Sequence, residues 1–225
     1  MSVLIQPLDF GAPLTVRQRL LPHWLQDGCA YFVTCHLGDS LPTPILRLWD
    51  SVRQNWLARH PLPWSGPEAA EYHERFTEEM ERHLDAGRGS CALQQRACAQ
   101  ALLDTLAKGD GARYDLGTYA VMPNHLHLLV VPRPGVELMR LTENWQRVSA
   151  LRINRRLGGR GSLWGRDSYD HIVRNAKELS RIDAYIRGNP RKAGLPEGSV
   201  LAGGSIDGWT VLPRRGPVPA SPDPW

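Results

Sequence analysis

The histidines at positions 125 and 127, in the segment VMPNHLHLLVVP, are the first place in this chain where residue type and spacing point to chemistry. In an extended strand, residues two positions apart project from the same face. The imidazoles of His125 and His127 would then lie side by side, and neutral imidazoles are common ligands of divalent metals. A metal held there can polarise a phosphate group. A hydrogen-bonded polar pair is the alternative, and the spacing leaves both open.

A second candidate pair lies in the segment DAYIRGNPRKAGL, which carries Tyr185 and Asn189. Residues four apart lie on one face of a helix, so the phenol and the amide would be neighbours. A tyrosine can attack a phosphodiester and form a covalent phosphotyrosine. The amide oxygen of Asn189 is a suitable third ligand for Mg²⁺ or Mn²⁺ held by the two histidines. A half-buried aromatic residue and a helix-ending residue before Pro190 are the alternatives.

The elements that must position these residues are predicted from apolar periodicity and turn residues. We predict a strand at 29–37, helices at 42–60, 68–84 and 90–108, and an antiparallel hairpin of 115–121 and 125–131. A long helix at 135–157, a short extended or irregular segment at 163–173 and a final helix at 175–188 follow. Ser90 and Asn175 are predicted N-caps. This order of strands and helices predicts an α+β fold.

Composition indicates a soluble globular protein, because 42% of the 225 residues are hydrophobic and 22% are charged. No apolar run approaches the roughly 20 residues needed to span a bilayer. The N-terminal segment lacks the pattern of a secretory signal. The four cysteines match no zinc or redox spacing and are expected to be reduced thiols. We therefore expect a cytoplasmic protein with no membrane partner.

Positive charge is concentrated between Arg140 and Lys192, where 13 Lys and Arg residues face 5 Asp and Glu residues, a net charge of +8. The whole chain carries only +4, so the remainder carries −4. Such a segment indicates a polyanionic partner such as nucleic acid, although a solvated basic helix face is the alternative. The candidate DNA-binding residues are Arg147, Arg152, Arg155, Arg156, Arg166 and Arg174.

Three ordered motifs together resemble a known family. They are PNHLHLLV, then WGR followed by YDHIVR, then YIRGNPRKAGL, and the similarity extends more weakly back to HWLQDGCAYFVTCHL. In this combination the chain resembles the REP-associated tyrosine transposases, relatives of the single-tyrosine transposases in the HUH endonuclease superfamily. The resemblance implies a ferredoxin-like antiparallel sheet flanked by helices. It also implies metal-dependent cleavage of single-stranded DNA through a 5′-phosphotyrosine, with repetitive extragenic palindromes folded as hairpins as substrates.

Carried over to this sequence, the resemblance makes His125 and His127 metal ligands, Tyr185 the nucleophile and Asn189 the third ligand of Mg²⁺ or Mn²⁺. Tyr169 is the rival nucleophile, but it has no amide four residues later. His171 is expected to be structural or to contact phosphate. The resemblance also places the protein in the bacterial cytoplasm, associated with the nucleoid. The oligomer is expected to be a monomer or a homodimer, and Tyr185 would serve either its own histidines or those of a second copy.

The predicted organisation is one HUH-type domain over residues 1–203, with a helical insertion at about 61–90 of unknown purpose. Residues 204–225 are predicted to be a loosely ordered Pro-rich tail. The predicted function is a DNA strand nuclease and transferase. Two alternatives are a non-cleaving protein that binds hairpin DNA or RNA, and a phosphodiesterase that uses an activated water instead of tyrosine.

Overall fold

The computed structural model describes residues 2–9, 12–18, 22–41, 43–61, 68, 71–72, 75–76, 79–166 and 168–213. The strands are β1 (Val3–Ile5), β2 (Thr15–Gln18), β3 (Pro22–Leu25), β4 (Tyr31–His36), β5 (Tyr114–Val121), β6 (His125–Pro132), β7 (Tyr169–Ile172), β8 (Leu201–Gly203) and β9 (Trp209–Val211). The helices are α1 (Thr43–Arg59), α2 (Glu79–Asp85), α3 (Arg96–Ala107), α4 (Leu138–Leu157) and α5 (Ala176–Lys192).

The central sheet has five strands in the order β7-β4-β6-β5-β8, and every neighbouring pair is antiparallel. Along the chain, β4, α3, β5, β6, α4 and β7 form a βαββαβ unit, which is the ferredoxin-like arrangement. Strand β8 extends the sheet beyond β5. The predicted α+β fold with an antiparallel sheet flanked by helices is therefore confirmed.

The two faces of the sheet are covered by different helices. Alternate residues of β6, including Leu126 and Leu128, belong to a core cluster with apolar residues of α3 and α4. On the other face, Leu129 packs in a second cluster with Ile182 and Ile186 of α5. Because successive strand residues point to opposite faces, the histidines at 125 and 127 lie on the α5 face.

The inserted segment between β4 and α3 has an aromatic cluster of its own. Trp56 of α1 packs with Tyr72 and Phe76, and the indole Nε1 of Trp56 donates a hydrogen bond to Glu71 (2.8 Å). The last α-helix of this segment is α2, whose Leu84 is buried. The helix predicted at 68–84 falls partly outside the described residues, and its end agrees with α2.

The chain termini differ from the prediction. Residues Trp209–Val211, inside the segment predicted as a loose tail, form β9 and pair in parallel with β1. The indole of Trp209 packs on Gly117, where a Cβ atom would come within 2.8 Å of the ring. The loose tail was predicted from the Pro-rich composition. In the structure, the packing of Trp209 on Gly117 and the pairing with β1 order this strand. Residues 214–225 lie outside the described residues.

Of the helix boundaries predicted from the sequence, the N-cap at Asn175 is correct, the N-cap at Ser90 is wrong, and the last helix ends later than predicted. Asn175 caps α5 by accepting a hydrogen bond from the backbone N–H of Glu178 (2.8 Å). Ser90 caps no helix, because Cys91 adopts a left-handed backbone with φ 47° and α3 begins only after Gln95. Helix α5 runs past the predicted end at 188, since a proline in the last turn removes only one N–H donor.

No helix in the described ranges is both long and apolar enough to cross a membrane. All four cysteines are free thiols, and those at positions 29, 35 and 98 are buried.

Candidate active site

The two histidines lie side by side at the start of β6. Both are buried, and their Nε2 atoms are 3.1 Å apart. The Nδ1 atom of His125 lies 2.8 Å from the side-chain oxygen of Asn124, and that of His127 lies 2.8 Å from the hydroxyl of Thr34. Each ring is thus held by its Nδ1 atom, and both Nε2 atoms point to one place. Such second contacts orient histidines that bind metals.

The tautomer of His125 follows from its neighbour. The amide nitrogen of Asn124 donates to the carbonyl of Arg88 (3.1 Å), so its Oδ1 atom faces His125. An amide oxygen only accepts hydrogen bonds, so the proton of His125 sits on Nδ1 and its Nε2 carries a lone pair. In this structure that lone pair accepts a hydrogen bond from Nε2 of His127 (3.1 Å), so a cation held by both rings would replace this hydrogen bond.

Burial keeps both imidazoles neutral. It lowers the pKa of His125 well below its ordinary value, and the neighbouring His127 and His36 lower it further. Burial, followed by the charge of Lys192, lowers the pKa of His127 to about 3. At neutral pH both rings are therefore neutral, which is the form that binds metals.

Helix α5 brings Tyr185 and Asn189 to the same place. The ring of Tyr185 lies edge-on to that of His127, with 5.6 Å between ring centroids. The amide nitrogen of Asn189 donates to the hydroxyl of Tyr185 (3.0 Å). Asn189 is fully buried, and its Oδ1 atom has no hydrogen-bond partner among the described residues. The four residues singled out from the sequence thus meet within one chain.

The phenol of Tyr185 is held in its neutral form. Burial raises its pKa above the ordinary value, and hydrogen bonding and charge from Glu81 and the charge of Asp85 raise it further. The hydrogen bond from Asn189 acts in the opposite direction. A phenol in this setting needs a proton acceptor or a nearby cation to become a nucleophile. Glu81 is such an acceptor, in contact with the hydroxyl.

Two acidic residues of α2 in the site were not identified from the sequence. Glu81 and Asp85 are four residues apart, so both lie on the helix face that meets α5. Asp85 lies 3.5 Å from Lys192 and 3.9 Å from His125. Burial raises the pKa of Asp85, while Lys192 and Asn189 oppose the rise. The i, i+4 spacing was visible in the sequence, but the return of this segment to the sheet was not.

His36 is another residue that the sequence reasoning missed. It pairs in register with His125 across β4 and β6, and its Nδ1 donates to the carbonyl of Leu37 (2.9 Å). Gly165 packs on its ring so closely that a Cβ atom would lie 2.3 Å from Cε1. The segment around Gly165 therefore reaches the histidine end of the sheet.

The rival tyrosine and His171 lie further from the site. Tyr169 shares a row with His127, but Thr34 of β4 stands between them. The separation is thus two strand spacings, or roughly 9.5 Å. His171 hydrogen-bonds to Glu178 (2.9 Å), and the two are largely buried. Their contact joins β7 to α5.

The predicted DNA-binding arginines are divided among different surroundings. Arg147, Arg155 and Arg166 line a groove of about 740 Å³ between α4 and the segment after it. Arg152 instead donates to the hydroxyl of Thr105 on α3 (3.2 Å), and Arg156 donates to the carbonyl of Arg152 (3.3 Å). Arg174 lies just before α5, and its backbone N–H donates to Glu178 (2.5 Å).

The groove and the histidine pair are connected. Gly165 and Trp164 line the groove, and Gly165 also packs on His36, the cross-strand neighbour of His125. The groove therefore reaches His36, one strand away from the histidine pair. Arg160 also lines this groove, although it was not among the predicted DNA contacts.

Metal-binding capacity rests on nitrogen and amide donors. Within the described part of the chain, no group of three or more histidine, cysteine and carboxylate side chains is already arranged around one point as a metal site. The Nε2 atoms of His125 and His127 converge, and the amide of Asn189 on the adjoining helix bonds to the hydroxyl of Tyr185, whose ring packs against His127. The unpartnered, buried Oδ1 atom of Asn189 is consistent with a ligand that the protein itself does not supply.

Comparison with known proteins adds a family match. The family model described as "Transposase IS200 like" matches residues 96–189, from the start of α3 to Asn189. A solved structure of a REP-associated tyrosine transposase bound to a REP hairpin is similar at 16% identity, with a TM-score of 0.39 over 77% of this chain and 73% of the other. No curated protein matches the sequence.

Proposed function

We propose that the protein is a metal-dependent endonuclease and strand transferase for single-stranded hairpin DNA, because residues 96–189 match the model of the IS200-like transposases. The observation that carries the proposal is the meeting of Tyr185, the two Nε2 atoms of the histidine pair and the unpartnered oxygen of Asn189. Repetitive extragenic palindromes are the substrates that the motif resemblance implies. The nucleophile acts in cis, because Tyr185 already contacts His127 of its own chain.

The donor set fits Mg²⁺ or Mn²⁺. His125 and His127 would hold the ion with neutral imidazoles, and Asn189 would add its amide oxygen. When bound, the ion would neutralise charge on the scissile phosphate. Thr34 and Asn124 would keep the two rings oriented, since each contacts an Nδ1 atom.

The protein's own residues carry the transfer step. The hydroxyl oxygen of Tyr185 attacks phosphorus, an oxygen–phosphorus bond forms, and the bond from phosphorus to the 3′-oxygen breaks. Glu81, which is hydrogen-bonded to the hydroxyl, accepts the phenol proton. The leaving 3′-oxygen takes a proton from solvent. The phosphotyrosine preserves the bond energy, so another 3′-hydroxyl can reverse the step without a nucleotide cofactor.

DNA binding is assigned to the groove lined by Arg147, Arg155 and Arg166. Guanidinium groups bind phosphates through paired hydrogen bonds, so this groove suits a nucleic-acid backbone. Its connection through Gly165 to His36 would direct one end of the bound strand to the site. Arg152 also holds α4 against α3 through Thr105, whereas the hydrogen bond of Arg156 to the carbonyl of Arg152 lies within α4.

The test is a denaturing gel with labelled single-stranded palindromic DNA from the gene's own flanks, in Mn²⁺ or in EDTA. The wild type is expected to form a covalent protein–DNA adduct in Mn²⁺ only. Tyr185→Phe is expected to bind the hairpin but to form no adduct. Tyr169→Phe is the matched control, because it removes the same hydroxyl from the rival tyrosine, and it is expected to form the adduct normally.

Each alternative gives a different gel. A Tyr185→Phe variant that still forms the adduct removes Tyr185 from the mechanism. Cleavage in Mn²⁺ without any adduct indicates a phosphodiesterase that uses activated water. Hairpin binding that is unaffected by EDTA and by His125→Ala, with no cleavage, indicates a non-cleaving binding protein.

A further inference from the structure

We propose that Asp85, supplied by the inserted helix α2, is an additional ligand of the cation held by His125 and His127. This inference rests on the cation site of the proposed function and gives the insertion a part in it. Helix α2 precedes the segment that matches the family model, which begins at residue 96.

The position of Asp85 is the first argument. Its Oδ1 atom lies 3.9 Å from the Nε2 atom of His125, and the two histidine Nε2 atoms are 3.1 Å apart. Ligands held about 2.1 Å from one ion lie roughly 3–4 Å from each other. Asp85 therefore stands at the spacing of a neighbouring ligand with respect to His125. The three side chains do not already surround one point, so binding would need a local adjustment of the carboxylate.

Unmet hydrogen-bonding capacity is the second argument. Two buried side-chain oxygens at this point, Oδ1 of Asp85 and Oδ1 of Asn189, have no hydrogen-bond partner within the described ranges. Asn189 is fully buried, and only 13% of the Asp85 side chain is exposed. Buried polar atoms usually have partners, so two unpartnered oxygens near Nε2 of His125 suit the ligand shell of a cation.

Charge is the third argument. The histidine pair and Asn189 are all neutral, whereas Mg²⁺ and Mn²⁺ prefer oxygen ligands that include carboxylates. Asp85 would supply the one negative ligand of the set. Lys192, whose ammonium lies 3.5 Å from Oδ2, now provides the positive charge beside this carboxylate.

The competing explanation is a structural ion pair between Asp85 and Lys192 that only holds α2 against α5. The two explanations predict opposite effects of removing the lysine. If Asp85 is a ligand, Lys192 competes with the ion, and Lys192→Gln keeps or strengthens metal binding. If the pair is only structural, Lys192→Gln and Asp85→Asn weaken the site alike.

The experiment measures Mn²⁺ binding to the DNA-free full-length protein by electron paramagnetic resonance, so the readout does not depend on cleavage. Asp85→Asn is expected to weaken Mn²⁺ binding by about 10- to 100-fold. Glu79→Gln is the matched control, since it removes a carboxylate from the exposed side of the same helix. It is expected to bind as the wild type does.

Several results would overturn the inference. If Asp85→Asn binds Mn²⁺ as the wild type does while His127→Ala loses binding, Asp85 is not a ligand and the proposed function stands. If His127→Ala binds normally, the cation site of the proposed function fails as well. Equal weakening by Asp85→Asn and Lys192→Gln assigns the carboxylate to a structural pair. Should Asp85→Asn not fold, unchanged or tighter binding by Lys192→Gln supports the inference, and weaker binding contradicts it.

Discussion

The two faces of strand β6 have contrasting surroundings, although their residues alternate along the same eight positions. Leu126 and Leu128 point into an apolar core against α3 and α4, and both are fully or almost fully buried. His125 and His127 are equally buried, but they face a polar cluster with Asn189 and Asp85 nearby. Burial alone therefore does not distinguish core from site, and the site face differs by the two buried oxygens of Asp85 and Asn189 that have no hydrogen-bond partner.

The first and largest expected effect tests the polar face. His125→Gln is expected to reduce adduct formation by at least about 10³-fold, because it removes a metal ligand, while the free energy of unfolding changes by only about 1 kcal/mol. Single-turnover cleavage assays and urea unfolding measure the two quantities. A stability loss as large as that of the adjacent leucine variant would show that this face is core as well.

The second prediction tests the apolar face, where a substitution is expected to lower stability and leave the cleavage rate unchanged. Leu126→Ala is expected to lower the free energy of unfolding by about 2–5 kcal/mol, because it leaves a cavity between the sheet and α3. The folded fraction is expected to keep its cleavage rate in Mn²⁺. Urea unfolding combined with an active-site titration by adduct formation checks both. A folded variant without activity would mean that the two faces are mechanically coupled.

A third prediction concerns a polar contact on the site face that is structural. Burial by itself would raise the pKa of Glu178. Hydrogen bonds from His171 and from the backbone of Arg174, together with the charges of both residues, outweigh this effect. The pKa therefore lies below its ordinary value of 4.5. The carboxylate therefore stabilises the folded protein at pH values above about 4.5. This stabilisation is lost as the pH falls through the lower pKa of the folded state.

Glu178→Gln tests this pH dependence. The variant is expected to lose about 1–3 kcal/mol of stability at pH 7, and the difference from the wild type is expected to shrink toward pH 3. Urea unfolding at both pH values provides the measurement. A difference that is the same at pH 3 and pH 7 would contradict a role for the charge, and Lys177→Gln, at the neighbouring position, serves as the control.

The smallest effect concerns the arginines. Arg166→Ala is expected to weaken hairpin binding by about tenfold and to reduce the salt dependence of log Kd by about one unit, because one phosphate contact is lost. Arg152→Ala is expected to affect stability more than salt dependence, since its guanidinium bonds to Thr105. Binding titrations at several salt concentrations separate the two. Equal salt slopes for both variants would remove the groove from the DNA interface.

Local pattern was sufficient for most elements of the fold. Apolar periodicity and turn residues correctly located the hairpin, α1, α4, the end of α3 and the start of α5, but they placed the start of α3 six residues too early. The short terminal strands were missed, because three residues such as Trp209–Val211 show no periodicity and are ordered by pairing with β1. The end of α5 was also misjudged, since Pro190 is tolerated in its last turn.

The sequence by itself determined the chemistry that one element can carry. Side-chain spacing along a strand or a helix is a local property, so the pairing of His125 with His127 and of Tyr185 with Asn189 followed from periods of 2 and 3.6. Only the tertiary structure decided what meets across elements. His36 became a neighbour of His125 through β-sheet register, and Asp85 arrived from an insertion that packs back against α5. Such contacts depend on how the whole chain packs, which no local spacing encodes.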